Sequence, residues 1–378
     1  MSELSVLHVL NSFVDASISR IVLRVVESLG TRDIAWHVGA VTSTGDMQDA
    51  FAGVGCRVID FADGGGSSPR KSVKSYVREH GIDVVHTHTP RTIVEASLAL
   101  RGDSGVKHIA TKHLLNAPGD RRWGLAYALL DRLTLYLPDI VIPVSNTMGE
   151  RIAAQPLLDR SKVVVVRNGI PVDDFPGSDG RAAERDRLVI PKDAIVLGYA
   201  GRIDKVKRID LLLKAFGEVL TQHPRAHLVI AGEGQLKAEM QALAGRLDIG
   251  HAVTWPGFHT SMPGLLAAID VYVQPSVNEG LSLSILEAMA AGRAVVATRV
   301  GGAEEIIAEG ETGILVSPGS AAAIAAAVIR LLEDPDKRTA ISRAGRARVE
   351  SEFTLQTMAD GYGAVYARVS GIDSAPTT

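Results

Sequence analysis

The 378-residue chain has one cysteine, Cys56, and few aromatics: 7 Phe, 3 Trp and 7 Tyr, or 4% of the sequence. A single cysteine excludes an intramolecular disulfide and any all-cysteine metal cluster. An excess of charge is also missing. The net charge is −3, from 40 Lys and Arg against 43 Asp and Glu, whereas a dedicated nucleic-acid binder is strongly basic, so no nucleic-acid partner is expected. No apolar run approaches the roughly 18 residues that span a bilayer. The longest are the valines ending at Val166 and the alanine-rich Ala321–Leu332. The N-terminal segment has no basic start and carries Glu3 and His8, so it reads as a first strand, not a signal peptide. The expected location is cytoplasmic.

What is present is ordinary globular composition, 46% hydrophobic and 22% charged, with 37 glycines. The length suits two domains. Short β-rich runs alternate with helix-length segments. In the first half the strands are Val6–Leu10, Ile34–Ala40, Arg57–Asp60, Val84–His88, His108–Thr111, Ile140–Val144 and Val163–Arg167. Several are almost wholly apolar, as strands buried on both faces of a parallel sheet are. The segment 168–193 carries Asn168-Gly169, Pro171, Pro176, Gly177 and the charged run Arg181–Arg187, which is linker chemistry. The alternation then restarts with strands at Ile195–Gly201, Ala226–Ala231, Val253–Gly257, Val271–Pro275, Ala294–Thr298 and Gly313–Val316. The expected fold class is therefore α/β: two Rossmann-like doubly wound domains facing a cleft, over 1–186 and 187–354. A helix at Leu355–Arg368, within a terminal segment 355–378, is expected to pack back on the first domain.

Open α/β sheets bind ligands at the carboxyl ends of their strands. One strand ends at Gly201 and is followed by Arg202 and Lys207, a planar fork and a point charge suited to phosphate. A solvated basic loop reads equally well, since Lys205 and Arg208 extend the run. Another strand runs through Gln274-Pro275-Ser276 to Glu279-Gly280-Leu281-Ser282, and then into a helix carrying Glu287. Unpaired amides at that helix start suit an anion. If helical throughout, the two carboxylates stand about 12 Å apart, so that one reaches a sugar and the other a ribose. Ordinary helix charges are the alternative, although Glu287 sits in an apolar stretch and a buried carboxylate needs a partner. Gly232-Glu233-Gly234 begins a dinucleotide fingerprint, but Lys237 stands at the third glycine position, so a tight turn is the better reading than an NAD site.

The order Gly201-Arg202…Lys207, Gly232-Glu233-Gly234, Trp255-Pro256-Gly257, Pro275-Ser276, Glu279…Glu287-Ala288-Met289-Ala290-Ala291-Gly292 and Val300-Gly301-Gly302-Ala303-Glu304-Glu305 resembles the retaining GT-B glycosyltransferases of family 4. The resemblance covers nearly the whole chain. It implies transfer of a sugar from a UDP- or GDP-sugar to an acceptor hydroxyl, in glycolipid or surface-polysaccharide synthesis. It implies no cofactor and no obligatory metal. It places Arg202 and Lys207 on the donor diphosphate, Glu279 on the sugar hydroxyls and Glu287 on the ribose. The amides of Gly280, Leu281 and Ser282 support the donor, with Gly201 and Gly234 in its loops.

The resemblance makes the first half the acceptor side. Asp83-Val84-Val85-His86-Thr87-His88 looks like the family's strand with a His pair, and Ala110-Thr111-Lys112-His113 looks like the segment whose His borders the donor sugar. A lone His after a strand is otherwise a satisfied structural residue. The family's Gly-Gly loop after the first strand is replaced by Asn11-Ser12-Phe13-Val14-Asp15-Ala16-Ser17. Asp15 and Ser17 are the acceptor-side candidates there. Arg70, Lys71, Lys74 and Arg78 fall at helical spacing and offer a peripheral contact with an anionic membrane or a lipid-linked acceptor, or else a solvated face. Arg121-Arg122-Trp123 is a second candidate for that interface. Two other functions fit the same chain: a nucleotide-sugar epimerase of this architecture, and a non-catalytic nucleotide-sugar binder.

Overall fold

The computed structural model describes residues 3–14, 16–31, 33–62, 68–103, 105–115, 124–177, 180–259 and 261–371, with the backbone alone at 124–128. Contacts divide the chain into two units, Met1–Asn168 with Leu355–Thr378, and Gly169–Thr354. The first unit holds β1 (Leu4–Leu10), β2 (Ile34–Ala40), β3 (Arg57–Asp60), β4 (Val84–Thr87), β5 (Lys107–Lys112) and β6 (Ile140–Pro143). The second holds β7 (Ile195–Ala200), β8 (Ala226–Ala231), β9 (Val253–Gly257), β10 (Val271–Gln274), β11 (Ala294–Thr298) and β12 (Ile314–Val316). The sheet orders are β3-β2-β1-β4-β5-β6 and β12-β11-β10-β7-β8-β9, and the pairings between strands are parallel.

Both sheets follow one course. The first strand of each lies centrally, the next two build to one side and the last three to the other. The winding reverses between β1 and β4 and between β7 and β10, and a crevice opens at such a switch point, beyond the carboxyl ends of the two strands. Strands sandwiched between helix layers have no polar face. All residues of β1, β8 and β11 are accordingly buried. The covering helices are amphipathic. Ser17–Leu29 buries Ile21, Val22, Val25 and Val26. Ile209–Gln222 sets Leu212, Phe216 and Val219 into a core shared with Val328 and Leu331 of the helix Ala321–Glu333.

Two expectations are corrected. Val163–Arg167 is not a strand. It runs extended beside β6, with Val164 N–H on Val141 O and Val166 N–H on Pro143 O, but forms only an isolated bridge. Pro143 has no N–H to return a bond, so the ladder stops there. The run Arg181–Arg187 is a helix, not a linker, and the division between units falls after Asn168 rather than at 186. The reason is an ion cluster. Arg181 donates to Asp270 Oδ1 at 2.6 Å and Arg185 to Asp270 Oδ2 at 2.9 Å, while Val196 N–H donates to Oδ2 at 2.8 Å. Carbonyls of Ala267, Ala268 and Ile269 take further guanidinium N–H groups of Arg181 and Arg185, at the end of the helix Met262–Ala268, where the dipole favours cations. Burial, with Arg181 nearby, lowers the Arg293 pKa to about 10 beside the same aspartate. Asp270→Ala is therefore expected to destabilise the second unit by about 3 kcal/mol, because it strands buried guanidinium charge. A urea midpoint close to wild type would refute this.

The first unit buries imidazoles instead. His37 bonds Tyr76 and Ser5, and His108 bonds Thr87 and Ser97. Burial lowers the pKa of His8 to about 3 and of His37, His108 and His113 to about 4, and that of His86 and His88 well below 6.5. The folded state holds these rings neutral, while the unfolded chain protonates them near pH 6.5. Below that pH the unfolded state binds more protons, so stability falls with falling pH. The melting temperature is expected to drop steadily from about pH 7 to about pH 5, and a flat profile would contradict neutral rings.

Candidate functional site

In the second unit the switch point places Gly201 after β7 and Gln274 at the end of β10. Asp204 Oδ1 accepts the amides of Val206 at 2.9 Å and Lys207 at 3.2 Å, folding the loop into a turn. Val277 N–H on Val206 O, at 2.9 Å, ties that loop to the segment after β10. The turn brings Lys207 Nζ to 2.6 Å from Glu279 Oε1, both side chains largely buried. Gln274 Nε2 donates to the same oxygen at 2.6 Å. Its other amide atom, Oε1, bonds the Tyr272 hydroxyl at 3.0 Å and Ser284 at 3.4 Å. The result is a fixed carboxylate with one ammonium and one amide on a single oxygen.

The flanking loops press backbone on backbone. A Cβ on Gly232 would lie 1.9 Å from Gly201 O, and one on Gly234 would lie 2.2 Å from Ile203 O. Gly232 also has φ of +136°, so no side chain is tolerated there. Gly201, Gly232 and Gly234 thus serve the crossing of the two strand ends. Gly302 N–H donates to Gly280 O at 2.7 Å, backing the loop that carries Glu279. Gly280, Leu281 and Ser282 are buried, and the helix begins at Leu283, with Ser282 as its N-cap and no side-chain cap bond. The helical separation expected between Glu279 and Glu287 does not apply, since only Glu287, half-buried on Leu283–Ala290, is helical. Arg202 stands apart from this pair: its side chain is 72% exposed and reaches Asp204 at 3.1 Å.

Several residues that support this arrangement escape a motif reading. Gln274, Tyr272, Asp204 and Ser284 matter through their bonds, and only Gln274, a polar residue closing an apolar strand, leaves a signal in the sequence.

In the first unit His113 follows β5 and is half-buried. Beside it Lys112 is buried and paired with Asp131 and Thr134. His86 and His88 are corrections to the acceptor side. His86 is fully buried, with Nδ1 at 2.8 Å from the Tyr366 hydroxyl and Nε2 at 2.8 Å from Thr111. His88 is buried between His8, at 3.0 Å, and His113, at 3.3 Å. Both nitrogens of each ring are occupied inside the unit. Position 8 gave no such signal beyond a His in an apolar strand.

Asp15 lies outside the described residues, as do Arg121, Arg122 and Trp123. Ser17 is exposed at the start of its helix. The glycine-free loop before it is pinned by Phe13, whose N–H bonds Thr44 O and whose carbonyl accepts from Asp46 and Met47. The neighbouring glycine is Gly45, across the contact rather than in the loop. Arg70, Lys71, Lys74 and Arg78 share the helix Pro69–Glu79. Arg78 pairs with Asp103 at 2.9 Å and Lys74 reaches Arg101 O at 3.3 Å, while Arg70 and Lys71 are exposed. Among the described residues no helix is long and apolar enough to cross a membrane.

Residues 180–348 match the model of glycosyl transferases group 1, and residues 18–174 that of glycosyltransferase family 4. The chain is 30% identical over 316 residues to a D-inositol 3-phosphate glycosyltransferase of Corynebacterium urealyticum, across 77% of this chain and 74% of that one. A Streptomyces avermitilis protein of the same description is 34% identical over 266 residues, 68% of this chain but only 57% of that one. Anabaena HepE, solved with UDP-glucose, superposes with a TM-score of 0.85 at 18% identity, covering 97% of this chain and all of that one, which shows a shared fold. With both halves matched in order and two α/β units of the expected topology, the chain belongs to the GT-B glycosyltransferases of family 4.

Proposed function

We propose that this protein transfers a sugar, with retention at the anomeric carbon, from a nucleoside-diphosphate sugar to an acceptor hydroxyl. The observation that carries the reading is the shared Glu279 oxygen, with Lys207 and Gln274 both at 2.6 Å, at the carboxyl ends of the central strands. An ammonium has three donors, so Lys207 can keep Glu279 and still meet a diphosphate oxygen. Arg202, exposed and, among the described residues, held only through Asp204, can swing onto the same diphosphate.

The bond that breaks joins the anomeric carbon to the leaving phosphate oxygen. Negative charge grows on that phosphate, and Lys207, Arg202 and the amides at the start of Leu283–Ala290 stabilise it more than they stabilise the ground state. The acceptor oxygen bonds the anomeric carbon on the face the phosphate leaves, and its proton passes to that phosphate. Glu279, whose Oε2 has no hydrogen-bond partner among the described residues, takes sugar hydroxyls. Glu287 takes the ribose, and His113 borders the sugar. No metal is assigned a step in this reading.

A UDP- or GDP-sugar donor is in keeping with HepE, solved with UDP-glucose. A hydroxyl acceptor on a polyol, glycolipid or polysaccharide is in keeping with relatives described as D-inositol 3-phosphate glycosyltransferases. Exposed Arg70 and Lys71 offer contact to an anionic membrane surface carrying such an acceptor.

A thermal-shift panel of UDP- and GDP-sugars is expected to raise the melting temperature for one nucleotide series. With that donor, Lys207→Ala should cut nucleoside diphosphate release by about a hundredfold or more, and a near-wild-type rate would overturn the assignment. Donor turnover should persist in excess EDTA; its loss, restored by a divalent cation, would remove the metal-free mechanism.

A further inference from the structure

The first unit contains a buried polar chain of which the transfer chemistry uses only the outer member, His113. His8 of β1 and His86 of β4 are register partners at the switch point. With His88 and His113 they stack in a column: ring centroids are 4.8 Å apart for His8–His86, 4.5 Å for His86–His88 and 5.5 Å for His88–His113. His8, His86 and His88 offer nitrogens within 4.8 Å of one another, the spacing of a metal triad. Their nitrogens are already taken, however: His8 Nδ1 and His88 Nε2 by each other, His8 Nε2 by Tyr366, both His86 nitrogens by Thr111 and Tyr366, and His88 Nδ1 by His113. The pattern of bonds is instead a single file.

That file can be followed atom by atom. Tyr362 hydroxyl meets Thr111 Oγ1 at 3.3 Å, and Thr111 Oγ1 meets His86 Nε2 at 2.8 Å. His86 Nδ1 meets the Tyr366 hydroxyl at 2.8 Å, and that hydroxyl meets His8 Nε2 at 3.2 Å. His8 Nδ1 meets His88 Nε2 at 3.0 Å, and His88 Nδ1 meets His113 Nε2 at 3.3 Å. Each neutral imidazole has one N–H and one lone pair, and each hydroxyl one proton. A hydroxyl can also accept from both sides, but its own proton is then buried without an acceptor. With every hydroxyl proton between Tyr362 and His8 placed on a neighbour, each member donates to one neighbour and accepts from the other, and only two proton arrangements remain, each the reverse of the other.

The two ends decide between them. Tyr362 is fully buried, and its hydroxyl has Thr111 as its one partner among the described residues. If Thr111 donated to it, the phenol proton would be buried without an acceptor, at a cost of about 1–3 kcal/mol. If Tyr362 donates, the proton is satisfied, and each step onward is fixed. Thr111 donates to His86 Nε2, His86 Nδ1–H to Tyr366, Tyr366 to His8 Nε2, His8 Nδ1–H to His88 and His88 Nδ1–H to His113 Nε2. The outer end bears no comparable penalty, because His113 is half-buried and its Nδ1 is bonded to no other described residue.

We propose that this column, closed at its inner end by Tyr362 and Tyr366 of the helix Leu355–Ser370, holds His113 as the neutral Nδ1–H tautomer. His113 then presents a hydrogen-bond donor to substrate and has no lone pair free to act as a general base. His88 is a positioning residue that acts through it. The assignment of the tautomer stands on the chain of bonds; only what the donor meets, a sugar or phosphate oxygen, rests on the transferase reading.

The test is a two-bond proton–nitrogen correlation spectrum of the full chain labelled with nitrogen-15 histidine, each ring assigned by a single substitution. His8, His86, His88 and His113 are all expected as Nδ1–H forms, against the Nε2–H preference of a free imidazole. An Nε2–H or doubly protonated His113 at neutral pH overturns the proposal, whether or not the protein transfers sugar. The positioning role is read from His88→Asn and His88→Phe. Asn retains an amide N–H at the Nδ1 position for His113 Nε2, whereas Phe retains only the stacking. Asn should preserve the Nδ1–H signal and most of kcat. Phe should lose the signal and about tenfold in kcat, with the donor KM changed less than about twofold. Equal kcat values in the two variants overturn the positioning role, and the wild-type spectrum decides the tautomer even if a variant fails to fold. Absence of transfer from every nucleotide sugar, with the spectrum as expected, would refute the transferase reading and leave the tautomer intact.

Discussion

A polar group carried into the interior of a parallel sheet has to find its partner inside the protein, because no water is there to supply one. The α/β layering buries both faces of the central strands, and each unit meets that requirement in its own way at its switch point. The first unit strings neutral imidazoles and phenols into one hydrogen-bonded file. The second pairs Lys207 with Glu279 and steadies both through Gln274 and Tyr272. What holds the fold together at these strand ends also arranges the candidate site.

The same constraint explains the charged segment near the start of the second unit. A charged run with prolines and glycines before it has the composition of a connector. Arg181 and Arg185 nevertheless fold as a helix, because Asp270 and the carbonyls closing Met262–Ala268 form a site that two guanidinium groups can satisfy together. The terminal helix shows the converse. Its apolar periodicity marks it as a helix, but nothing local reveals that Tyr362 and Tyr366 end on Thr111, His86 and His8, which lie hundreds of residues away in sequence.

Motif and structure divide the candidate site between them. Lys207 and Glu279 were legible because phosphate and sugar chemistry needs a cation and a carboxylate after strands, and the family order places them there. Their direct bond was not, since it depends on the Asp204 turn and on Val277 meeting Val206 across two loops. The His pair was legible as a feature and was expected on the acceptor side: alternation along β4 puts His86 and His88 on one face, and only packing decides whether that face is open or covered. Gly232 and Gly234 read as a tight turn, and the close approach of the backbone they touch is what requires them.

The sequence by itself determined the two α/β halves, most strand positions and the family, because these follow from local periodicity, turn chemistry and the order of short motifs. Tertiary structure alone decided the sheet order, the division after Asn168, the burial of His86 and His88 and the partners of Glu279. Those depend on which distant groups share a dry interior. A buried donor or acceptor is satisfied by whatever lies within about 3 Å of it in space, and distance along the chain carries no information about that.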